Sequence, residues 1–153
     1  MESGQSDTSN LSTPDWSNDQ LSVILNHTMQ AVIVLGPDKR VIKAFRGGLD
    51  AWDMTAGEVL GADSTTLVHR DDLEYLLRIW DRAVSHPGET LSFEARVIRQ
   101  GNRWRWAEGI VKNLLDDPQI GGMVYIFRDC HDRKESEARS QASELRFQSL
   151  VAN

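Results

Sequence analysis

A chain of 153 residues, 40% hydrophobic and 26% charged, has the length and apolar content for one globular domain with extensions at its ends. Its net charge of -6 works against a phosphate-neutralising surface and so against nucleic acid as a partner. A single cysteine, Cys130, excludes an internal disulfide and a four-thiolate zinc site and fits a reducing cytoplasm.

No apolar run approaches the length of a membrane span, and the polar, acidic start lacks the basic and apolar regions of a signal peptide. Residues 1–15 are dominated by Ser, Thr, Asp, Asn and Gln. Such a composition buries too little apolar area to offset ordering, so disorder is expected. Over residues 16–28 the capping pattern Ser17-Asn18-Asp19-Gln20 opens a short flanking helix with Leu21, Ile24 and Leu25 on one face.

The β-branched run Ala31 to Leu35, the turn Gly36-Pro37-Asp38 and the returning run Arg40 to Phe45 predict a hairpin. Gly47-Gly48 breaks it. Leu49 to Met54 and Thr55 to Leu60 read as short helical turns, the second opened by a Thr55/Glu58 capping box and stopped by Gly61. From Asp71 to Ser85 the spacing predicts a longer helix with Leu73, Leu76, Leu77, Trp80 and Val84 on one stripe, ended by Pro87-Gly88. Thr90 to Arg99 alternates as a strand with Leu91, Phe93, Ala95 and Val97 on one face. Turns at Gly101-Asn102 and Asp116-Asp117-Pro118 then separate the runs Arg103 to Leu115 and Met123 to Phe127, completing an antiparallel meander. Both alternations of the Arg103 run carry apolar residues, which predicts that the outer sheet face is covered as well. Asp132 can cap a final helix over Arg133 to Leu150, with a weak heptad seam of Ala138, Ala142, Leu145, Ser149 and Ala152.

The hairpin AVIVLGPDKRVIKAF, the turn Glu58-Val59-Leu60-Gly61, the stretch Val68-His69-Arg70-Asp71-Asp72, the block Gly101-Asn102-Arg103-Trp104-Arg105-Trp106 and the run Arg128 to Lys134 follow one another in the order of the PAS family. The chain resembles that family, in particular its members with a PAC-type C-terminal meander, over about Asp19 to Lys134. The resemblance implies an α+β fold in residues 29–132: a five-stranded antiparallel sheet of order 2-1-5-4-3, helices on one face, and a ligand or cofactor cavity between them. Flanking helices precede and follow it, the latter a linker over residues 133–153. Relatives close the last strand with Asp-Ile-Thr or Asp-Leu-Thr, whose side chains tie the sheet to the output helix. Here the same place reads Asp129-Cys130-His131, which leaves Asp129 as the expected signal relay. The closing stretch from Glu144 to Val151 is similar to the start of a further repeat, so a longer multidomain protein with a downstream output domain is expected.

Active-site chemistry is sparse. His69-Arg70-Asp71 shares three letters with a kinase catalytic loop but lacks its asparagine and metal partners, and a helix entrance accounts for it. Cys130 and His131 are sequence neighbours near a strand end and are expected to point apart. No catalytic residue, metal set or enzyme activity is expected in this chain. The resemblance also argues against two cofactors. Light-sensing relatives bind flavin covalently through a helical Cys, whereas Cys130 follows the last strand, and haem-binding relatives use a His inside the long helix, where Asp71 to Ser85 has none.

A small organic ligand, a non-covalent flavin or no ligand remain open. Candidate lining residues are Trp52, Leu67, Leu77, Trp80, Phe93, Ala95, Trp106 and Tyr125, aromatic and apolar positions that suit a pocket and a filled core alike. Two functions follow as expectations. One is a cytoplasmic sensor module that binds a small ligand and relays the change to an output domain, a kinase or cyclic-dinucleotide enzyme among the candidates. The other is a ligand-free dimerisation or interaction module. A homodimer is expected if Leu21, Ile24 and Leu25 pack on the outer sheet face.

Overall fold

Strands β1 (Ala31–Leu35) and β2 (Val41–Phe45) form the first hairpin, as their composition predicts. Pro37 and Asp38 turn the chain, Lys39 takes a left-handed φ of 67°, and the Gly36 amide donates to the Arg40 carbonyl at 2.8 Å. The register shifts between Val34 and Leu35, as a left-handed loop residue after a tight turn requires. This computed structural model describes residues 20, 23–24, 30–45, 47, 49, 52–99 and 101–152. The expected N-terminal disorder, the dimerising helix with Leu21 and Leu25, and the Gly48 break lie outside those residues. Within that helix only Gln20, Val23 and Ile24 are described, and they are helical.

Helix α1 (Ala56–Val59) starts at Thr55, whose hydroxyl accepts from the Glu58 amide while the Glu58 carboxylate accepts from the Thr55 amide. A short 3₁₀ turn (Ser64–Thr66) follows under Asp63. Helix α2 (Arg70–Ser85) begins one residue earlier than the acidic run suggests, because the His69 ring caps it, Nδ1 accepting from the Asp71 amide at 3.1 Å. His86 closes it, its Nδ1 lying 3.1 Å from the Arg82 carbonyl. The predicted stripe is right except at its end. Ala83 is fully buried and Val84 is exposed, since three residues, not four, separate the buried Trp80 from the next inward position.

Strands β3 (Thr90–Arg99), β4 (Arg103–Leu114) and β5 (Gly122–Asp129) form the meander. Gly101 and Asn102 both have positive φ in the turn between Arg99 and Arg103, which pair across it. The sheet order is β2-β1-β5-β4-β3, all antiparallel. Parity follows from the pairing. Ile33 faces Tyr125, which faces Val111, and these side chains with Leu35, Phe93, Ala95 and Phe127 form the inner face against the helices. Helix α3 (His131–Ala152) leaves the end of β5, and every residue from Glu135 to Val151 is exposed. It starts before Asp132, the predicted cap, because the Asp129 carboxylate already accepts from the His131 amide at 2.8 Å.

The helix layer is locked to the sheet edge by Asp72, whose carboxylate accepts from the Arg96 amide at 2.8 Å and from its guanidinium at 2.7 and 2.9 Å. Burial works to raise the Asp72 pKa, but these bonds, the Arg96 charge and nearby His69 outweigh it and hold the carboxyl below its ordinary value. A depressed folded pKa contributes stability that is complete above the ordinary carboxylate range and is lost as pH falls through the folded value. Urea unfolding from pH 7 down to pH 3 is therefore expected to show an acid loss of stability that is smaller in Asp72→Asn. An unchanged acid limb would remove this pair from the account.

Candidate functional site

Between the inner sheet face and the helix layer lies an apolar cavity of about 110 Å³. For scale, a cavity of roughly 150 Å³ lined by Leu, Ile and Phe holds benzene and stays dry when empty. Aromatic contacts run along the sheet side: Phe127 meets Phe93 at 6.2 Å and Phe93 meets Tyr125 at 5.8 Å, and Trp52, from the segment before α1, meets Phe127 edge-on at 5.4 Å. Gly109, with no side chain, sits between Phe93 and Phe127 in the register and lets these rings approach. Opposite them stand Leu73, Leu76, Leu77 and Trp80 of α2 and Leu67 of the preceding turn. Lys39 reaches the cavity edge and places its ammonium 4.9 Å over the Trp80 ring.

Of the eight residues the sequence singles out, Trp52, Leu67, Leu77, Trp80, Phe93, Ala95 and Tyr125 border this cavity. Trp106 does not, and its placement is corrected here. Trp106 pairs with Arg96, and both project from the outer face, because the inner position next to it belongs to Ala107, paired with Ala95. The Trp106 ring lies between the Arg96 guanidinium at 5.0 Å and the Lys134 ammonium of α3 at 4.7 Å, and its neighbour Trp104 packs against His69 and His131. Sequence reasoning missed Ile33, Leu35 and Val41 as lining residues. A signal was present in β1, whose alternation assigns Ile33 and Leu35 to one face.

Ser64 and Thr65 also border the cavity, beside Lys39 at its edge. The Trp52 indole N–H is buried with no hydrogen-bond partner, on a residue only 1% exposed. The Tyr125 hydroxyl is mostly buried, and burial alone pushes its pKa above the ordinary value, so it is a neutral donor at any physiological pH.

At the end of β5 the inner face carries Asp129. Its carboxylate accepts from the Arg105 Nε and from Arg105 Nη2, while Nη2 also lies 3.5 Å from Asp132 in the first turn of α3. The Asp129 and Arg105 side chains are 19% and 24% exposed. One arginine thus connects the tips of β4 and β5 to the exit helix. The cavity is adjacent, since its lining residue Val97 pairs with Arg105 and its lining residue Phe127 lies two positions before Asp129. On the outer face Arg133 meets Glu108 at 2.8 Å and Lys134 meets Glu94 at 2.8 Å. Arg105 was not singled out in the sequence, although alternation separates it from Trp104 and Trp106.

Cys130 and His131 have different partners. The Cys130 side chain is buried, and desolvation, aided by Glu108, pushes its thiol pKa up, so the thiolate needed for nucleophilic attack is disfavoured. His131 instead accepts from the Trp106 amide at 3.2 Å through Nδ1 and has Nε2 3.1 Å from Glu135. Among the described residues no group of three His, Cys, Asp or Glu could hold a metal ion, and no helix is long and apolar enough to cross a membrane.

A protein-family model described as the PAS fold matches residues 42–125, more than half of the chain. The fold is also similar to that of solved structures. The PAS domain of a Colwellia psychrerythraea protein superposes with a TM-score of 0.65 at 17% identity, covering 74% of this chain and 97% of that one. A domain of a sensory box sensor histidine kinase/response regulator from Geobacter sulfurreducens gives 0.59 at 20% identity, covering 72% and 92%. The PAS domain of a LuxR-family transcriptional regulator from Burkholderia thailandensis, solved in complex with ethanol, gives 0.57 at 14% identity, covering 71% and 95%. No curated protein matches the chain.

Proposed function

Because this chain belongs to the PAS-fold family, we propose that it is a cytoplasmic sensing module that takes a small molecule into the apolar cavity and passes occupancy to a downstream output domain through Asp129, Arg105 and helix α3. The observation that supports this reading most is the position of the cavity, one strand pairing away from the Arg105–Asp129 link. A ligand that displaces Phe127 or Val97 changes the strand ends that hold that link. From Glu135 to Val151 every residue of α3 is exposed, which leaves this stretch open to an output domain. The chain carries no catalysis in this reading, and neither flavin held covalently nor haem is its ligand.

Native mass spectrometry with an absorption spectrum of the purified protein tests the reading. A retained small molecule, absent from a Leu67→Phe variant that fills the cavity and still melts cooperatively, is the expected result. The second reading is a ligand-free homodimer, favoured by the outer sheet face, where Trp104 and Ile110 are 37% and 38% exposed. A dimer by light scattering that takes up no small molecule would select it instead.

A further inference from the structure

We infer that Trp106 is a positioning residue that couples the first turn of α2 to the start of α3 across the outer sheet face, by a route separate from the Arg105–Asp129 link. This adds a means of regulation to the sensor reading above and rests on that reading for what drives it. The route begins at Asp72, whose neighbour Leu73 lines the cavity. The Asp72 carboxylate holds the Arg96 amide and guanidinium together, and the two side chains are only 13% and 20% exposed. Any shift of the first turn of α2 therefore carries the guanidinium with it. That guanidinium stands 5.0 Å from the centre of the Trp106 ring and 5.4 Å from that of Trp104. An apolar side chain at position 96 would cover the tryptophans as well, but it would not be tied to α2. Trp106 in turn meets the start of α3 at three points. Its carbonyl accepts from the Cys130 amide at 2.9 Å, its amide donates to His131 Nδ1 at 3.2 Å, and its ring lies 4.7 Å from the Lys134 ammonium. Lys134 is itself fixed, its amide donating to the Cys130 carbonyl at 3.0 Å and its ammonium to Glu94 at 2.8 Å. One aromatic residue thus joins a carboxylate on the cavity helix to the first turn of the exit helix.

Amide hydrogen exchange of the whole chain tests the coupling without any ligand. Its failure therefore leaves the sensor reading standing, and that reading is decided separately by the retained small molecule. The readout is the protection of the Arg133, Lys134 and Glu135 amides. Asp72→Ala, at the far end of the route, is expected to lower it about fivefold. Trp106→Leu lowers it by itself, and in that background Asp72→Ala should change it less than about twofold, because the connecting ring is gone. Trp106→Phe, which keeps an aromatic face, should retain the response to Asp72→Ala. Arg96→Lys keeps the charge beside Asp72 and withdraws the planar group from Trp106. It is expected to reproduce Asp72→Ala and takes its place if that variant does not fold. Met123→Ala, a buried change in β5 away from the cavity lining and the route, controls for a global loss of stability and should leave these amides unchanged. Equal losses from Asp72→Ala with and without Trp106→Leu would overturn the inference, since the signal then passes elsewhere. A loss in Met123→Ala as large as in Asp72→Ala, or no response to Asp72→Ala at all, would overturn it too.

Discussion

Asp129→Ala is expected to destabilise the domain by about 2–3 kcal/mol and to free the first turn of helix α3 from the sheet. Removing one partner of a fully buried ion pair costs about 3–5 kcal/mol, because the remaining charge is left without compensation. Asp129 and Arg105 keep 19% and 24% of their side-chain exposure, so solvent screens the orphaned guanidinium and the cost falls below that range. A second loss adds to it, since the same carboxylate caps α3 through the His131 amide. A double-mutant cycle with Arg105→Met separates the two, the ion pair vanishing in the cycle while the cap loss remains. Urea unfolding measures the first, and hydrogen exchange of the amides from His131 to Glu135 measures the second. Destabilisation no greater than about 0.5 kcal/mol would make the pair an ordinary surface bridge and remove the proposed exit route.

Gly109→Ala is expected to be more damaging still, costing more than about 3 kcal/mol. A Cβ there would stand 2.0 Å from the Ile126 carbonyl oxygen and 2.6 Å from both Cα and Cβ of Phe127. Those atoms belong to the paired backbone of β5, so the strands must separate where the sheet is continuous on both sides of β4. A flexible side chain could yield to such a clash, whereas a hydrogen-bonded strand cannot without giving up its ladder. Gly57→Ala is the matched control, because the nearest atom to its added Cβ is Thr55 Oγ1 at 3.9 Å. In helix α1 the change should be neutral or stabilising by up to about 1 kcal/mol. Thermal melts of the two variants therefore diverge widely, and similar melts would show that β4 and β5 have slack at this point.

Much of the fold is legible in the sequence for local reasons. The Gly101-Asn102 turn, the Thr55/Glu58 capping box and the α2 stripe up to Trp80 each depend on residues within a few positions of one another, and each forms where the sequence predicts it. The sheet order followed from the family resemblance and agrees with the strand pairing. The candidate site was only partly legible. Seven of the eight proposed lining residues border the cavity, since apolar positions on the inward side of α2, β3 and β5 have few other places to go.

Trp106 shows where local information ends. In β4 both alternations carry apolar residues, so hydrophobicity does not say which side faces the helices. Pairing decides it: the register that sets Ala107 against Ala95 puts these two small, fully buried residues under the helix layer and turns Trp106 outward to Arg96 and Lys134. The β4–β5 register, with Ala107 against Asp129, brings Arg105 to that same carboxylate, 24 residues away in the chain, and the buried Trp52 N–H is left without an acceptor. Composition and short-range spacing thus determined which elements form and where they turn, because caps and turns are made by neighbours. Only the tertiary structure decided the face of each strand and the partner of each buried polar group, because those depend on contacts between segments far apart in the sequence.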